Sequence, residues 1–172
     1  MMSKEVLSKE EFFNSNGRAF TLRGVVETLK AYVETAPEWQ YEIVIGTDSH
    51  ASLEHHAFFV SAITIRRIGN GGIHFWTRHE EHFATLRERI WREAMLSIIL
   101  AQELRSMVRE VFGDDELWGG HAIFRCIHLD VGENGPTRDF IDGITGMVRG
   151  YGFTPVIKPD AYGASTVADR HT

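Results

Sequence analysis

The run Tyr41-Glu-Ile-Val-Ile-Gly-Thr-Asp-Ser-His50 decides how the rest of the chain is read. Its β-branched residues predict a strand over residues 41–47 that ends by presenting a carboxylate, Asp48. Gly46 removes a side chain just before that carboxylate, so another group can approach the backbone there. The competing reading makes Asp48 and Ser49 a turn cap, the ordinary behaviour of aspartate at a strand end. A second apolar run, Ala122-Ile-Phe-Arg-Cys-Ile-His-Leu129, also ends in an aspartate, Asp130, followed by Val131-Gly132. One such aspartate is weak evidence, whereas two strands ending alike suggest a shared site.

Working outward, residues 57–66 and 73–79 read as strands joined by Gly69-Asn-Gly-Gly72, which with the first strand make an antiparallel meander. A long helix is predicted from Thr85 to about Phe112, a strand over 121–130, and a helix opening at Pro136. Phe140, Ile141, Ile144, Met147, Val148 and Tyr151 give that helix one apolar face. A strand over 153–158 and a short closing helix over 164–171 follow. Ser8-Lys-Glu-Glu11 has capping-box form, and Val25, Val26, Leu29, Tyr32 and Val33 recur at helical spacing, so the first forty residues read as helical.

The pattern is α/β. It predicts a five-stranded mixed sheet, order 3-2-1-4-5, flanked by helices, with residues 1–40 as a helical extension on a core of 41–172, all in one domain. Right-handed crossovers set the strand ending at Asp130 parallel to and beside the one ending at Asp48. Both aspartates then stand beyond the carboxyl ends of the strands, where such sheets take ligands.

The long helix adds a third carboxylate. Leu86, Ile90, Ala94, Ser97, Leu100, Ala101 and Leu104 mark its sheet-facing side, Glu93 falls in the middle of that side, and Glu88 falls opposite. A carboxylate aimed at a core is costly unless it is paired, protonated or bound to metal. The plain alternative is a salt bridge to Arg66 or Arg67.

Composition bounds the rest. The 172 residues are 43% apolar and 24% charged, ordinary globular values. A chain of this size removes roughly 70% of its unfolded surface from water. Cys126 is the single cysteine, so no intramolecular disulfide forms, and with no signal-like start the cytoplasm is expected. No window approaches the roughly 20 apolar residues of a bilayer span, which excludes an integral membrane protein. A net charge of −6 argues against a surface that grips nucleic acid non-specifically, although a site built to hold divalent cations is acidic by construction. Oligomeric state is not legible.

Among the nine histidines, His50, His55 and His56 follow the first strand, and His79 and His82 have a spacing that can share a metal. A zinc site is the minor reading beside scattered surface histidines. His50, two residues beyond Asp48, is the candidate for an extra ligand or proton carrier. Cys126 reads as a small buried hydrophobe. Phe58, Phe59, Phe75, Trp76 and Trp91 read as core, and Trp118, beside Gly119-Gly120, as an exposed aromatic.

Ile45-Gly-Thr-Asp-Ser-His50, Ile127-His-Leu-Asp-Val-Gly-Glu-Asn134 and Ile157-Lys-Pro-Asp-Ala-Tyr-Gly-Ala-Ser-Thr-Val-Ala-Asp-Arg-His-Thr172 resemble the YkuK-like, ribonuclease H-like family of bacterial proteins. Glu5-Val-Leu-Ser-Lys9 and Leu86-x-Glu-x-Ile-x-x-Glu93 fit as well, so the likeness spans essentially the whole chain. The wider superfamily implies roles: Asp48 as the first-strand metal ligand, Glu93 as the helix glutamate, Asp130 as the fourth-strand aspartate, and Asp169 as the closing-helix carboxylate. Asp160 competes for that last role and has a helix N-cap as its structural reading. The resemblance implies Mg²⁺ or Mn²⁺ held by oxygen ligands, two-ion phosphodiester hydrolysis, Lys158 offsetting phosphate charge, and RNA or DNA as partner. Its rivals are a binding module that keeps the fold without turnover and, more weakly, a hydrolase of small phosphoesters or nucleotides.

Overall fold

Strand β3 (Tyr41–Ala51) is the axis of the molecule: it pairs antiparallel with β4 (His56–Arg67) on one side and parallel with β6 (Ala122–Leu129) on the other. The computed structural model describes residues 10–51, 56–113, 117–162 and 168–171. The other elements are β1 (Phe12–Asn14), β2 (Ala19–Phe20), α1 (Leu22–Glu34), β5 (Gly72–His82), α2 (Leu86–Phe112), α3 (Ile141–Gly150) and β7 (Thr154–Val156). Single 3₁₀ turns stand at Arg138–Phe140 and Asp169–His171.

One mixed sheet of seven strands results, in the order β2-β1-β5-β4-β3-β6-β7. This corrects the five-stranded expectation: two strands are added at the β5 edge, so the full order differs from the one stated, while β5-β4-β3-β6-β7 follow one another in the expected sequence. The two added strands come from the N-terminal segment predicted as helical: Phe12–Asn14 forms a strand that pairs with β2 and β5. The helical reading holds for α1, capped by Thr21, but residues 12–20 are strand and turn, and Phe12 is fully buried. Ser8 and Lys9 of the capping-box reading lie outside the described residues.

The hairpin between β4 and β5 closes tightly. A Cβ on Gly72 would stand 2.4 Å from the Ile65 carbonyl oxygen, so only glycine fits there.

Strand alternation splits the sheet into two faces. Tyr41, Ile43, Ile45, Thr47 and Ser49 face α2, as the bond from Ser97 Oγ to Thr47 Oγ1, 2.8 Å, records. Leu29, Ile43, Ile45, Ile63, Leu100, Leu104, Ile127, Ile144 and Val148 are buried in one cluster that joins all three helices to this face. Each such side chain contributes roughly 1.5–3 kcal/mol by leaving water. On the opposite face, Ala168 is seated on Val60 and Ala62 beside Trp76.

Helix α2 begins where Thr85 Oγ1 accepts from the Glu88 N–H and Glu88 accepts from the Ala84 N–H. Substituting Thr85→Ala is expected to cost about 1 kcal/mol and to lower Tm by about 2–4 °C. An unchanged thermal midpoint would show that this cap is idle.

Smaller expectations are also corrected. Trp118 is 6% exposed and packs edge-on against Phe112, so it belongs to the core. Leu86, placed on the sheet-facing side of α2, is 37% exposed at the helix start, and Tyr151, assigned to the apolar face of α3, is 45% exposed just past the helix end. Residues 164–167 lie outside the described part, and the closing segment that follows is a 3₁₀ turn. No helix among the described residues is long and apolar enough to cross a membrane.

Candidate carboxylate site

Thr47 and Leu129 are the last register partners of the parallel β3–β6 ladder, so Asp48 and Asp130 follow side by side as the two strands part. The turn-cap reading of Asp48 fails, because β3 continues through Asp48 and Ser49 to Ala51, paired with β4. Alternation sets Asp48 on the face away from α2 and Ser49 on the face toward it.

Glu93 reaches the same sheet edge from α2. It is 7% exposed, and its Oε1 accepts from the Ser49 hydroxyl. Arg89, one turn earlier, donates to the Ser49 carbonyl at 2.9 Å and to Ser49 Oγ at 3.2 Å. The expected salt bridge to Arg66 or Arg67 does not form: Arg66 pairs with Glu42, and Arg67 donates to the Tyr41 and Thr35 hydroxyls. Burial pushes the Glu93 carboxyl up to about 8, and the charges of Asp48 and Asp130 push the same way, while the Ser49 bond and Arg89 pull it back.

Lys158 closes the other side. Its Nζ lies 2.8 Å from Asp130 Oδ1, and its backbone N–H donates to the Val131 carbonyl. The bond to Asp130 holds the ammonium above its ordinary range, with the charges of Asp130, Asp48 and Glu93 adding to it. Glu93 and Lys158 thus both register the same pair of aspartates, although they sit on different elements. In this arrangement the carboxylate charge is offset by a proton on Glu93 and by Lys158. Among the described residues, no three His, Cys, Asp or Glu side chains stand together as a group that could hold a metal ion.

The remaining candidates place as follows. His50 is exposed and is the register partner of Phe58, on the Asp48 face of β3. The turn containing Asp169 contacts β3. Ala168 beside it packs on Val60, the register partner of Asp48, so the chain brings position 169 to the Asp48 face. Asp160 is exposed, and the residues that a helix N-cap there would serve, 163–167, lie outside the described residues. His79 and His82 project from opposite faces of β5, as three-residue spacing in a strand requires, so they do not share a metal. His55 lies outside the described residues. Cys126 is half-buried, and burial raises its thiol.

Sequence reasoning missed Ser49 and Arg89. The signals were present: Arg89 and Glu93 are spaced i, i+4 on one helix, and Thr47 and Ser49 put hydroxyls on the helix-facing side of a strand.

Fold and site together define a ribonuclease H-like protein, and the chain belongs to that family: the family model described as Ribonuclease H-like matches residues 24–172. Within it, the chain is similar to a Bacillus subtilis (strain 168) protein named Uncharacterized protein YkuK. The two are 30% identical over 171 residues, which cover 94% of this chain and 96% of the relative. No solved structure matches.

Proposed function

We propose that the chain is a divalent-metal-dependent phosphodiester hydrolase acting on nucleic acid. The observation that carries this reading is Glu93, a carboxyl buried against Ser49 at the sheet edge and driven up to about 8, with the charges of Asp48 and Asp130 contributing. A protein gains no stability from a carboxyl buried in this way, and perturbed carboxylates of this kind gather at functional sites.

The donor set suits a hard cation. Asp48, Glu93 and Asp130, with Asp169 as the fourth by resemblance, offer only carboxylate oxygens, the preference of Mg²⁺ and Mn²⁺. His50 is a further ligand candidate. Bound there, the metal would supply Lewis acidity and an activated water. The protein's own groups do the rest: Ser49 and Arg89 orient Glu93, and Lys158 binds a phosphate oxygen while keeping Asp130 in line. Glu93 and Lys158, whose proton and ammonium now offset the carboxylate charge, would be relieved of that role by a bound cation.

Calorimetry with Mn²⁺ on the parent and on Asp48→Asn tests this. Binding by the parent and its loss in the variant, together with loss of any nucleic-acid cleavage, is the expected result. Equal Mn²⁺ affinity in the two proteins would remove the reading.

A second reading, a binding module without turnover, draws support from the ion pair that holds Lys158 on Asp130 and from the net charge of −6. Absence of Mn²⁺ binding by the parent would favour it.

A further inference from the structure

Next to Asp130 a cleft of about 770 Å³ opens between Gly132, Glu133 and Asn134 on one side and the segment from Pro155 to Asp160 on the other. It lies past the carboxyl ends of the parallel strands β6 and β7, the position where open sheets take ligands. Its walls are stitched together, since Lys158 N–H donates to the Val131 carbonyl at 2.9 Å. A Cβ on Gly132 would press on Lys158 Cβ at 3.1 Å, so a larger residue there would have to shift the Lys158 side chain.

The lining is chemically mixed in a way that selects its occupant. Pro155, Val156, Ile157 and Pro159 give apolar surface for a base and a sugar. Lys158 gives one ammonium, and of its three donors Asp130 engages one, which leaves capacity for a phosphate. Glu133 and Asp160 are exposed carboxylates in the same lining. A strand threading through would press further phosphates on those acids, and like charges repel. Sugar hydroxyls and base N–H groups are instead donors that carboxylates accept.

We propose that this cleft binds one nucleoside unit joined to the carboxylate site through a single phosphate, so that the protein works on a strand end or a mononucleotide. Turnover at this cleft rests on the hydrolase reading, whereas binding stands apart from it.

The test is calorimetry in chelator-treated buffer, where no turnover occurs. The probes are nucleoside 5′- and 3′-monophosphates, inorganic phosphate and nucleoside 3′,5′-bisphosphates. The better monophosphate is expected to bind about tenfold or more tighter than inorganic phosphate and about tenfold tighter than the bisphosphate. Glu133→Gln combined with Asp160→Asn should narrow the second gap, and Lys158→Met should weaken the monophosphate about tenfold. A bisphosphate that binds as tightly as the monophosphate overturns the proposal. So does a monophosphate no tighter than phosphate, in protein shown to be folded by circular dichroism. Monophosphate binding without cleavage of any oligonucleotide would keep the cleft and remove the hydrolase; internal cleavage without monophosphate binding would do the reverse.

Discussion

Glu93→Gln is expected to make the protein more stable than its parent at alkaline pH, by several kcal/mol, while abolishing any cation-dependent activity. In the unfolded chain the carboxyl titrates near its ordinary 4.5, and in the folded protein near 8. Between those values the folded state keeps a proton that the unfolded state has released. Stability therefore falls as pH rises from about 4.5 and is fully reduced above about 8. At about 1.36 kcal/mol per pKa unit the loss is on the order of 4–5 kcal/mol. Glutamine keeps the shape and the bond from Ser49 without a charge to bury, so this loss disappears in the variant. Urea denaturation of both proteins at pH 5, 7 and 9 measures it as the parent-minus-variant difference. A difference that stays flat across that range would mean that Glu93 ionises freely and that the site is less enclosed than the geometry implies. A residue that lowers stability at the pH where cells operate is not explained by folding, which links this stability measurement to the functional reading.

How much of this was legible in the sequence depended on segment length and on periodicity. The parallel β3–β6 pair could be read because both runs are long, apolar and closed by an aspartate, and the inward Glu93 because α2 is long enough for its faces to be counted. The N-terminal strands could not. Phe12–Asn14 has three residues and Ala19–Phe20 has two, too few for alternation to show, and their place at the sheet edge is fixed by partners far along the chain. The helical periodicity of 25–33 was then extended over them. Thr85 and Glu88 cap the start of α2, whereas Ser8 of the capping-box pattern lies outside the described residues. Trp118 misled because glycines follow it: they suggested a surface turn, but the residue itself takes a positive φ of 61° and turns its ring into the core. His79 and His82 were paired by spacing alone, which only a helix would have made into a shared face. The cleft beside Lys158 was beyond sequence reading, since it is built by two loops that meet only through the fold.

Acid conditions are expected to destabilise the protein through His128, and His128→Gln should abolish that part of the loss. His128 is 3% exposed on β6, next to Gly46 in register and two residues before Asp130. Burial is the largest of the causes that lower its imidazole to about 4; Arg66 adds to the shift, while Glu42 and Asp160 oppose it. The ring meets Tyr162 edge-on at 4.6 Å. The Tyr162 hydroxyl donates to Glu42 at 3.1 Å, Arg66 Nε donates to the same oxygen at 2.8 Å, and the Arg66 guanidinium lies over the Tyr162 ring. A neutral His128 thus helps hold residues 160–162, one wall of the cleft, on the sheet. An unfolded histidine takes up its proton near 6.5, so as pH falls from there to about 4 the unfolded state gains a proton that the folded state refuses. The stability lost across that window is on the order of 3 kcal/mol. Other groups titrate in the same range, so the quantity to measure is again the difference between the two proteins in urea at pH 7, 5.5 and 4. Convergence of the parent on the glutamine variant as pH falls is the expected result, and parallel curves would refute it. If the wall is held as described, loss of monophosphate binding should accompany the acid transition in the parent and come later in the variant, because the segment that shapes the cleft is the one that His128 supports.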